Sequence, residues 1–560
     1  ESLRFSTLQW IYRRHTAVYL TGLGLFSTAF IFSILRFGLQ EKSPGIQILI
    51  ALLLLIPASQ LSLDFLNYLL MRLLPPRALP KMDFEVPGIP DAFRTLVVVP
   101  VLLVDAAKIR REVEKLEIRY LANKEANLLF SLFTDYTDCE QAHCEDDQQL
   151  LQVALESLEA LNHRYGAGRF FLFHRARAWS KTERKFIGWE RKRGKLEELN
   201  RLIDGTRAED AQQLVYVGDQ DLLFNVRFII TLDSDTQLPH GTARRMIETL
   251  AHPLNRPRFS PDGDILAGSY ALIQPRVSPS LTSTSATPFS RLFSDPIGID
   301  PYTRIVSDVN QDLSGEGSYH GKGIYDVRAF SRVLSGRFPE GRLLSHDLIE
   351  GAHVRVGLAS DIELYDDVPQ DYQSYTVRQH RWIRGDWQIA DWVLPCVPQP
   401  GKRRGPNQLS WFNRWKVLDN LRRSLVPVAA LGLLTISWLV SSPAGWISTV
   451  MVAVMLLFHP IAQHLTLMTS HLELKSFSFS KLTHDLLRSL VEAALLPHQA
   501  SLALDAIARV LYRRLVSHRW LLEWASAKGG RGSASGKLLP FVASMGVASV
   551  FSGIAGWTVY

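Results

Sequence analysis

The chain has 560 residues, is 47% hydrophobic, and carries a formal net charge of +7 from 62 basic and 55 acidic side chains. Length alone suggests several domains. No Arg-rich tail or recognised nucleic-acid motif is present, so nucleic acid is not expected as a partner.

The pattern of hydropathy decides the class. Residues 16–39, 45–63, 425–441, 444–468 and 538–560 are five apolar runs clustered at both ends of the chain. Each is about long enough to cross a ~30 Å hydrocarbon core. Five such runs predict an integral membrane protein that meets a lipid bilayer. Arg4, Arg13 and Arg14 precede the first run, Arg72, Arg77 and Lys81 follow the second, and Arg414, Lys416, Arg422 and Arg423 precede the third. The excess of Lys and Arg on one side predicts a cytoplasmic N-terminus and one cytoplasmic domain between the second and third runs. Arg36 and Lys42, in the first hairpin connection, run against this trend.

The organisation expected is therefore a transmembrane pair over 1–80, a cytoplasmic domain over 81–424 and a second pair over 425–470. Basic amphipathic interfacial helices over 471–530 and a last span over 537–560 complete it. In residues 476–525 apolar positions recur at helical spacing between arginines, which fits helices lying on the anionic leaflet or packing under the cytoplasmic domain, with a break expected at Pro497. The chain begins without Met and stops inside an apolar run, so a longer protein is expected. CEQAHC lacks the fourth ligand and the close spacing of a structural zinc site, so Cys139 and Cys144 read as free cytoplasmic thiols.

Within the cytoplasmic part, strands are predicted at 94–103, 127–136, 169–174, 215–218 and 226–233. Helices are predicted at 105–126, 146–164, 181–203, 241–255, 344–357 and 370–394. Strand–helix alternation with apolar strands predicts an α/β fold: a mostly parallel sheet covered by helices on both faces.

The stretch VRFIITLDSDTQ (226–237) carries the chemistry. An apolar strand ends in Asp233 and Asp235, which face the same way if the extended geometry continues. Two carboxylates in one pocket need a positive partner, and hard oxygen ligands suit Mg²⁺ or Mn²⁺. Phosphohydrolases of the haloacid dehalogenase type also place DxDx[TV] after a strand, but here the fifth position is Gln237.

Further signals follow in order: Asp135 at a strand end, Lys195 in RGKLEELN, Asp347 in LLSHDLIEG, and Arg378, Arg381 and Trp382 in TVRQHRWIRGDWQ. This ordered set resembles processive, membrane-embedded inverting glycosyltransferases of the cellulose and hyaluronan synthase type, with a glycosyltransferase-A sheet inserted between membrane helices. Arg378 in place of Gln, and HD in place of TED, resemble the cyclic β-1,2-glucan synthases of Gram-negative bacteria, which implies an inner-membrane, multi-pass protein with its catalytic domain in the cytoplasm.

The resemblance implies UDP-glucose as donor and a growing glucan chain as acceptor. Asp135 would bind the base or ribose, and Lys195 the diphosphate. Asp233 and Asp235 would hold the metal–UDP unit, with Asp235 the more direct ligand. Asp347 would be the general base, with Glu350 as its understudy. Arg378 and Arg381 would bind UDP, and Trp382 would offer a flat face to the acceptor sugar. The resemblance also implies a protein-linked glucan that the same domain closes into a ring, and a C-terminal phosphorylase-like region outside this chain. Tyr165, beside flexible glycines in HRYGAG, is the expected anchor, with Tyr319 and Tyr325 as rivals. SGEGSYHGKGIYD (314–326) is expected to line the acceptor or the UDP. A linear β-glucan or hyaluronan-like synthase is the alternative within the class. A polysaccharide transporter or channel is the alternative outside it, and it would need neither Asp347 nor the Arg–Trp motif.

Overall fold

A computed structural model describes residues 2–39, 43–205, 214–294, 308–469 and 479–523. Its centre is built from short apolar runs. In chain order these are β1 (Thr95–Leu103), β2 (Leu128–Tyr136), β3 (Phe170–Arg175), β4 (Ala178–Ser180), β5 (Lys185–Ile187), β6 (Val215–Val217), β7 (Phe228–Thr231), β8 (Leu272–Pro279), β9 (Gly323–Asp326) and β10 (Val356–Asp366). Eight of them form one sheet in the order β10-β8-β9-β7-β1-β2-β3-β6. β1 pairs in parallel with β2 and β7, β2 with β3, and β8 with β10. β9 and β6 run antiparallel to their neighbours. The expected, mostly parallel α/β sheet is what forms.

Alternation along β1 explains why helices cover both faces. Val97 and Val99 point into one core with Phe130 and Leu132 of β2. Leu96 and Val98 point into the other, with Phe171 and Phe173 of β3. Each such fully buried side chain contributes roughly 1.5–3 kcal/mol relative to exposure. The helix Ala106–Ala122 starts where the Asp105 side chain accepts from the Lys108 amide, and it buries Val113, Leu116 and Tyr120 at helical spacing.

Several local expectations are corrected. The helix expected from residue 181 begins only at Arg191. Before it, β4 and β5 form a hairpin in which Trp179 packs on Phe186 at 5.2 Å, a cross-strand aromatic pair that competes with helix. The helix expected over 344–357 ends at Val354, where Arg355 takes φ +52° and the chain enters β10. Cys139 and Cys144 are joined as a disulfide rather than standing as free thiols.

Among the described residues, three helices are long and apolar enough to cross a membrane: His15–Phe37, Pro44–Leu73 and Trp411–Val440. The chain is therefore that of a membrane protein, and the sheet lies in sequence between the second and third of these helices. The fourth expected span holds a shorter apolar segment, Ser442–Phe458. The fifth, 537–560, lies outside the described residues. Ile50, Leu54, Ala430, Leu433 and Met451 share one buried cluster, so these helices pack as a bundle.

The amphipathic stretch forms one helix, Phe479–Tyr512, that runs through Pro497 without the expected break. Burial of Leu496, Ala500, Ala503 and Ala506 on one side offsets the amide that proline cannot donate. This helix packs laterally on the domain built around the sheet: Tyr372 Oη lies 2.8 Å from His498 Nδ1, and His380 Nε2 lies 2.9 Å from Asp505 Oδ2.

Candidate active site

Open α/β sheets bind ligands outside the carboxyl ends of their strands. Here β2 ends at Asp135–Tyr136, β7 runs into Leu232 and Asp233, and β10 ends at Asp366. Lys322 immediately precedes the antiparallel β9 and so reaches the same edge.

The loop after β7 is held by the helix Ala106–Ala122. Buried Arg119 donates to the Thr236 carbonyl at 2.8 Å and the Ser234 carbonyl at 3.1 Å, and Lys115 reaches the Ser234 carbonyl at 3.2 Å. The Gln237 amide donates to the Tyr365 carbonyl at 2.7 Å, tying the loop to β10. Asp233 accepts from Lys192 Nζ at 2.6 Å and pairs with Lys322 Nζ at 3.0 Å. Lys322 also bonds Asp366 at 2.6 Å, and Thr236 Oγ1 donates to the other Asp366 oxygen at 2.6 Å. Burial pushes the Asp233 carboxyl up, but Lys192 and Lys322 outweigh it and hold the group well below the usual range. Asp235 is half-buried and makes no side-chain hydrogen bond or salt bridge among the described residues. An unpartnered carboxylate beside a second one fits a hard divalent cation that takes few protein ligands.

Asp347 is the first residue of the helix Asp347–Val354, where a carboxylate is favoured. Gly321 packs directly on it: its φ of +81° favours glycine, and a Cβ there would lie 3.1 Å from Asp347 Oδ2, close enough to press on that carboxylate. The same Gly321 carbonyl accepts from Lys192 at 2.7 Å. The Gly-rich segment thus stands between the Asp233 loop and Asp347. Burial raises the Asp347 carboxyl above its ordinary value; His346 and Lys192 pull it down, and Glu350 and Asp233 push it up. Buried His346 lies 3.0 Å from Glu350 Oε2 and 3.6 Å from Asp347 Oδ1. Burial pulls the imidazole down, but Glu350 and Asp347 leave it raised overall.

The helix Tyr372–Gln388 carries the Arg–Trp motif. The Arg378 guanidinium sits 5.0 Å from the centroid of the Trp382 ring and reaches the Asp367 carbonyl at 3.4 Å. Arg381 lies close enough to Asp233 and Asp235 to feel both: burial and Arg378 lower its pKa, and the two aspartates oppose them. Arg384 turns away and meets Glu523 at 3.1 Å.

Asp135 and Lys195 are brought together, but inward. Asp135 accepts a fork from Arg175 at 2.8 and 3.0 Å and lies 3.3 Å from Lys195 Nζ. Lys195 also donates to the Val101 and Phe133 carbonyls at 3.0 and 2.9 Å, toward the carboxyl ends of β1 and β2. Burial pulls Lys195 down to about 8 despite Asp135. Tyr165 is not brought to the site. It precedes β3, at the opposite edge of the sheet, and its hydroxyl donates to Glu117 at 2.6 Å. Its rivals Tyr319 and Tyr325 are both buried, and Tyr325 Oη donates to Asn200 at 3.0 Å.

No protein-family model matches the chain. A curated protein does: cyclic beta-(1,2)-glucan synthase NdvB of Rhizobium meliloti (strain 1021) is 38% identical over 514 residues, which is 90% of this chain. The chain is homologous to a segment of a cyclic β-(1,2)-glucan synthase. It spans 18% of that relative's length. The resemblance drawn from the ordered motifs is therefore matched along nearly the whole chain.

Four residues of this site escaped the sequence reading of roles: Lys192, Lys322, Asp366 and His346. Two had a signal. Lys322 lies in the Gly-rich segment and His346 in the HD pair that marked the resemblance. Lys192 was hidden in the run RKRGK, and Asp366 in a strand that the pattern did not predict.

Proposed function

We propose that this protein is a processive, inverting glucosyltransferase that builds β-1,2-glucan from UDP-glucose, on a protein-linked intermediate that is then cyclised. The observation that carries the reading is the convergence of Asp233, Asp235, Asp347 and Arg381 on one edge of a parallel sheet, in a chain homologous to part of a cyclic β-(1,2)-glucan synthase. Homology supports the product class. The donor and the inversion are what the resemblance implies and the site's charges suit, and the protein-linked intermediate is carried over from the resemblance alone.

In this reading Asp235, with Asp233, holds Mg²⁺ or Mn²⁺. The cation would stabilise negative charge on the leaving diphosphate. Arg381 adds a fixed positive charge on the same side and can clamp phosphate oxygens bidentately. Asp347 faces them across Gly321. Its raised pKa suits a base that takes a proton from an acceptor hydroxyl as that oxygen attacks the anomeric carbon. Attack opposite the leaving group inverts α to β. Trp382, stiffened by Arg378 on its face, presents an apolar platform to the acceptor ring. Asp135 is held rigidly by Arg175 and Lys195, so it presents a fixed wall at the base and ribose end rather than a free charge.

The proposed setting is the bacterial inner membrane, with the sheet in the cytoplasm, and a phosphorylase-like region belongs to the longer protein. The test is glucan synthesis by the purified chain with UDP-glucose and Mg²⁺. β-1,2-linked product supports the reading; a linear β-1,4 product moves the assignment to the cellulose type, and no transfer removes it.

A further inference from the structure

Asp233 has both carboxylate oxygens on lysines, and the two lysines are not equivalent. Lys322 is fixed. It is 11% exposed and bridges Asp233 Oδ2 at 3.0 Å to Asp366 Oδ2 at 2.6 Å. Asp366 is itself pinned by Thr236 Oγ1, and Lys322 sits at the start of a strand inside the sheet. Lys192 is lightly held. It is 23% exposed and reaches Asp233 Oδ1 at 2.6 Å from the first turn of the helix Arg191–Ile203, with the Gly321 carbonyl at 2.7 Å as its other partner.

An ammonium and a divalent cation compete for the same carboxylate lone pairs. A lysine is a compact charge on a flexible four-carbon stem, so it can leave one oxygen for another a few ångströms away. Of the three carboxylates Asp233, Asp235 and Asp366, only Asp235 makes no side-chain hydrogen bond or salt bridge among the described residues, although Arg119, Lys322 and Arg381 lie near enough to act on its charge.

We propose that Lys192 is a displaceable counter-ion of this site: it holds Asp233 until a divalent cation takes that oxygen, and its ammonium then turns to the diphosphate, while Lys322 stays fixed on Asp366. The diphosphate half rests on the donor assigned above; the exchange with the cation does not. Lys192 is a positioning residue for the cation and a binding residue for the anion.

The test uses the full chain purified in detergent and two readouts, free Mn²⁺ by electron paramagnetic resonance and UDP binding by calorimetry with and without metal. Lys192→Met removes the competitor. It should bind Mn²⁺ about tenfold more tightly without nucleotide and UDP about tenfold more weakly without metal, the scale of one part-buried charge pair. Lys192→Arg, which holds the carboxylate with a fork, should weaken Mn²⁺ binding instead. An unfolding scan checks that each variant is folded. Unchanged or weakened Mn²⁺ binding in Lys192→Met overturns the exchange, as does absence of Mn²⁺ binding in every form. Tighter Mn²⁺ with no UDP binding in any form upholds the exchange and removes the UDP donor instead.

Discussion

Gly385 of the Arg–Trp helix lies directly on Ser345, two residues before Asp347: a Cβ at Gly385 would sit 2.5 Å from Ser345 Cβ. The helix that carries Arg378, Arg381 and Trp382 is thus seated on the segment that carries the proposed base. Gln388, one turn on, bonds the Leu344 amide at 2.8 Å and the Leu521 carbonyl at 2.6 Å, fixing the same seat.

Gly385→Ala therefore tests whether that seat positions the chemistry. The added methyl must push helix and loop apart by a fraction of an ångström or more. Glucosyl transfer should fall by about 10²-fold, as small misplacements of reacting groups do, with UDP binding within a few-fold of wild type. Rates and calorimetric binding measured together check it. An equal loss of both would mean that the helix serves donor binding alone.

Lys195 and Lys192 separate a structural cation from a functional one. Lys195→Met leaves part of a buried ion-pair network without its cation and strips two strand carbonyls of their donor. It should lower unfolding stability by about 3 kcal/mol, whereas Lys192→Met should lower it by less than about 1 kcal/mol. Thermal unfolding in detergent reads the difference. Equal, small losses would return Lys195 to the diphosphate role that its place in the motif suggests.

This contrast also shows what the sequence made legible. The apolar run before Asp233, the strand before Asp135 and the spacing of Arg378, Arg381 and Trp382 all follow from local pattern, and each sits where periodicity puts it. Which lysine of RKRGK faces the site does not, because that depends on where the helix starts. Glu190 and Arg191 take φ +49° and +54°, so the helical register begins at Arg191 rather than at residue 181. Lys192 is thereby turned to Asp233, and Lys195, a turn later, to Asp135. β8 and β10 were hidden for a related reason. Pro275 and Pro279 interrupt the first, and the pairing of the second slips between Ala359 and Glu363, so neither shows clean strand alternation. Asp366 came with them.

The acid limb of the rate profile should expose Asp347. An aspartate with a raised pKa in the folded protein stays protonated to higher pH than an ordinary one. Transfer needs its ionised form, so the rate should fall as pH drops through that raised value, on a limb above the ordinary aspartate range. Asp347→Asn should lower the rate by about 10²–10⁴-fold, remove the limb and leave UDP binding in place. A limb that persists in Asp347→Asn would assign the base elsewhere, with Glu350 next to be tested.

Tyr165→Phe asks whether the glucan anchor lies where the flexible glycines suggest. The hydroxyl donates to Glu117 of the helix Ala106–Ala122, and Tyr165 itself precedes β3 at the amino edge of the sheet, so it is engaged away from Asp235 and Asp347. The variant should therefore keep any protein-linked glucan. Loss of the protein-bound label in Tyr165→Phe alone, with free glucan still made, would establish it as the anchor after all.

The most direct test of the central claim is incubation of the purified protein with radiolabelled UDP-glucose and Mg²⁺ beside Asp235→Asn, followed by denaturation, gel separation and linkage analysis of the released glucan. The account predicts label on wild-type protein and in β-1,2-linked glucan, with both lost in the variant. Equal labelling of wild type and Asp235→Asn, or no glucose transfer by the wild type, would contradict it.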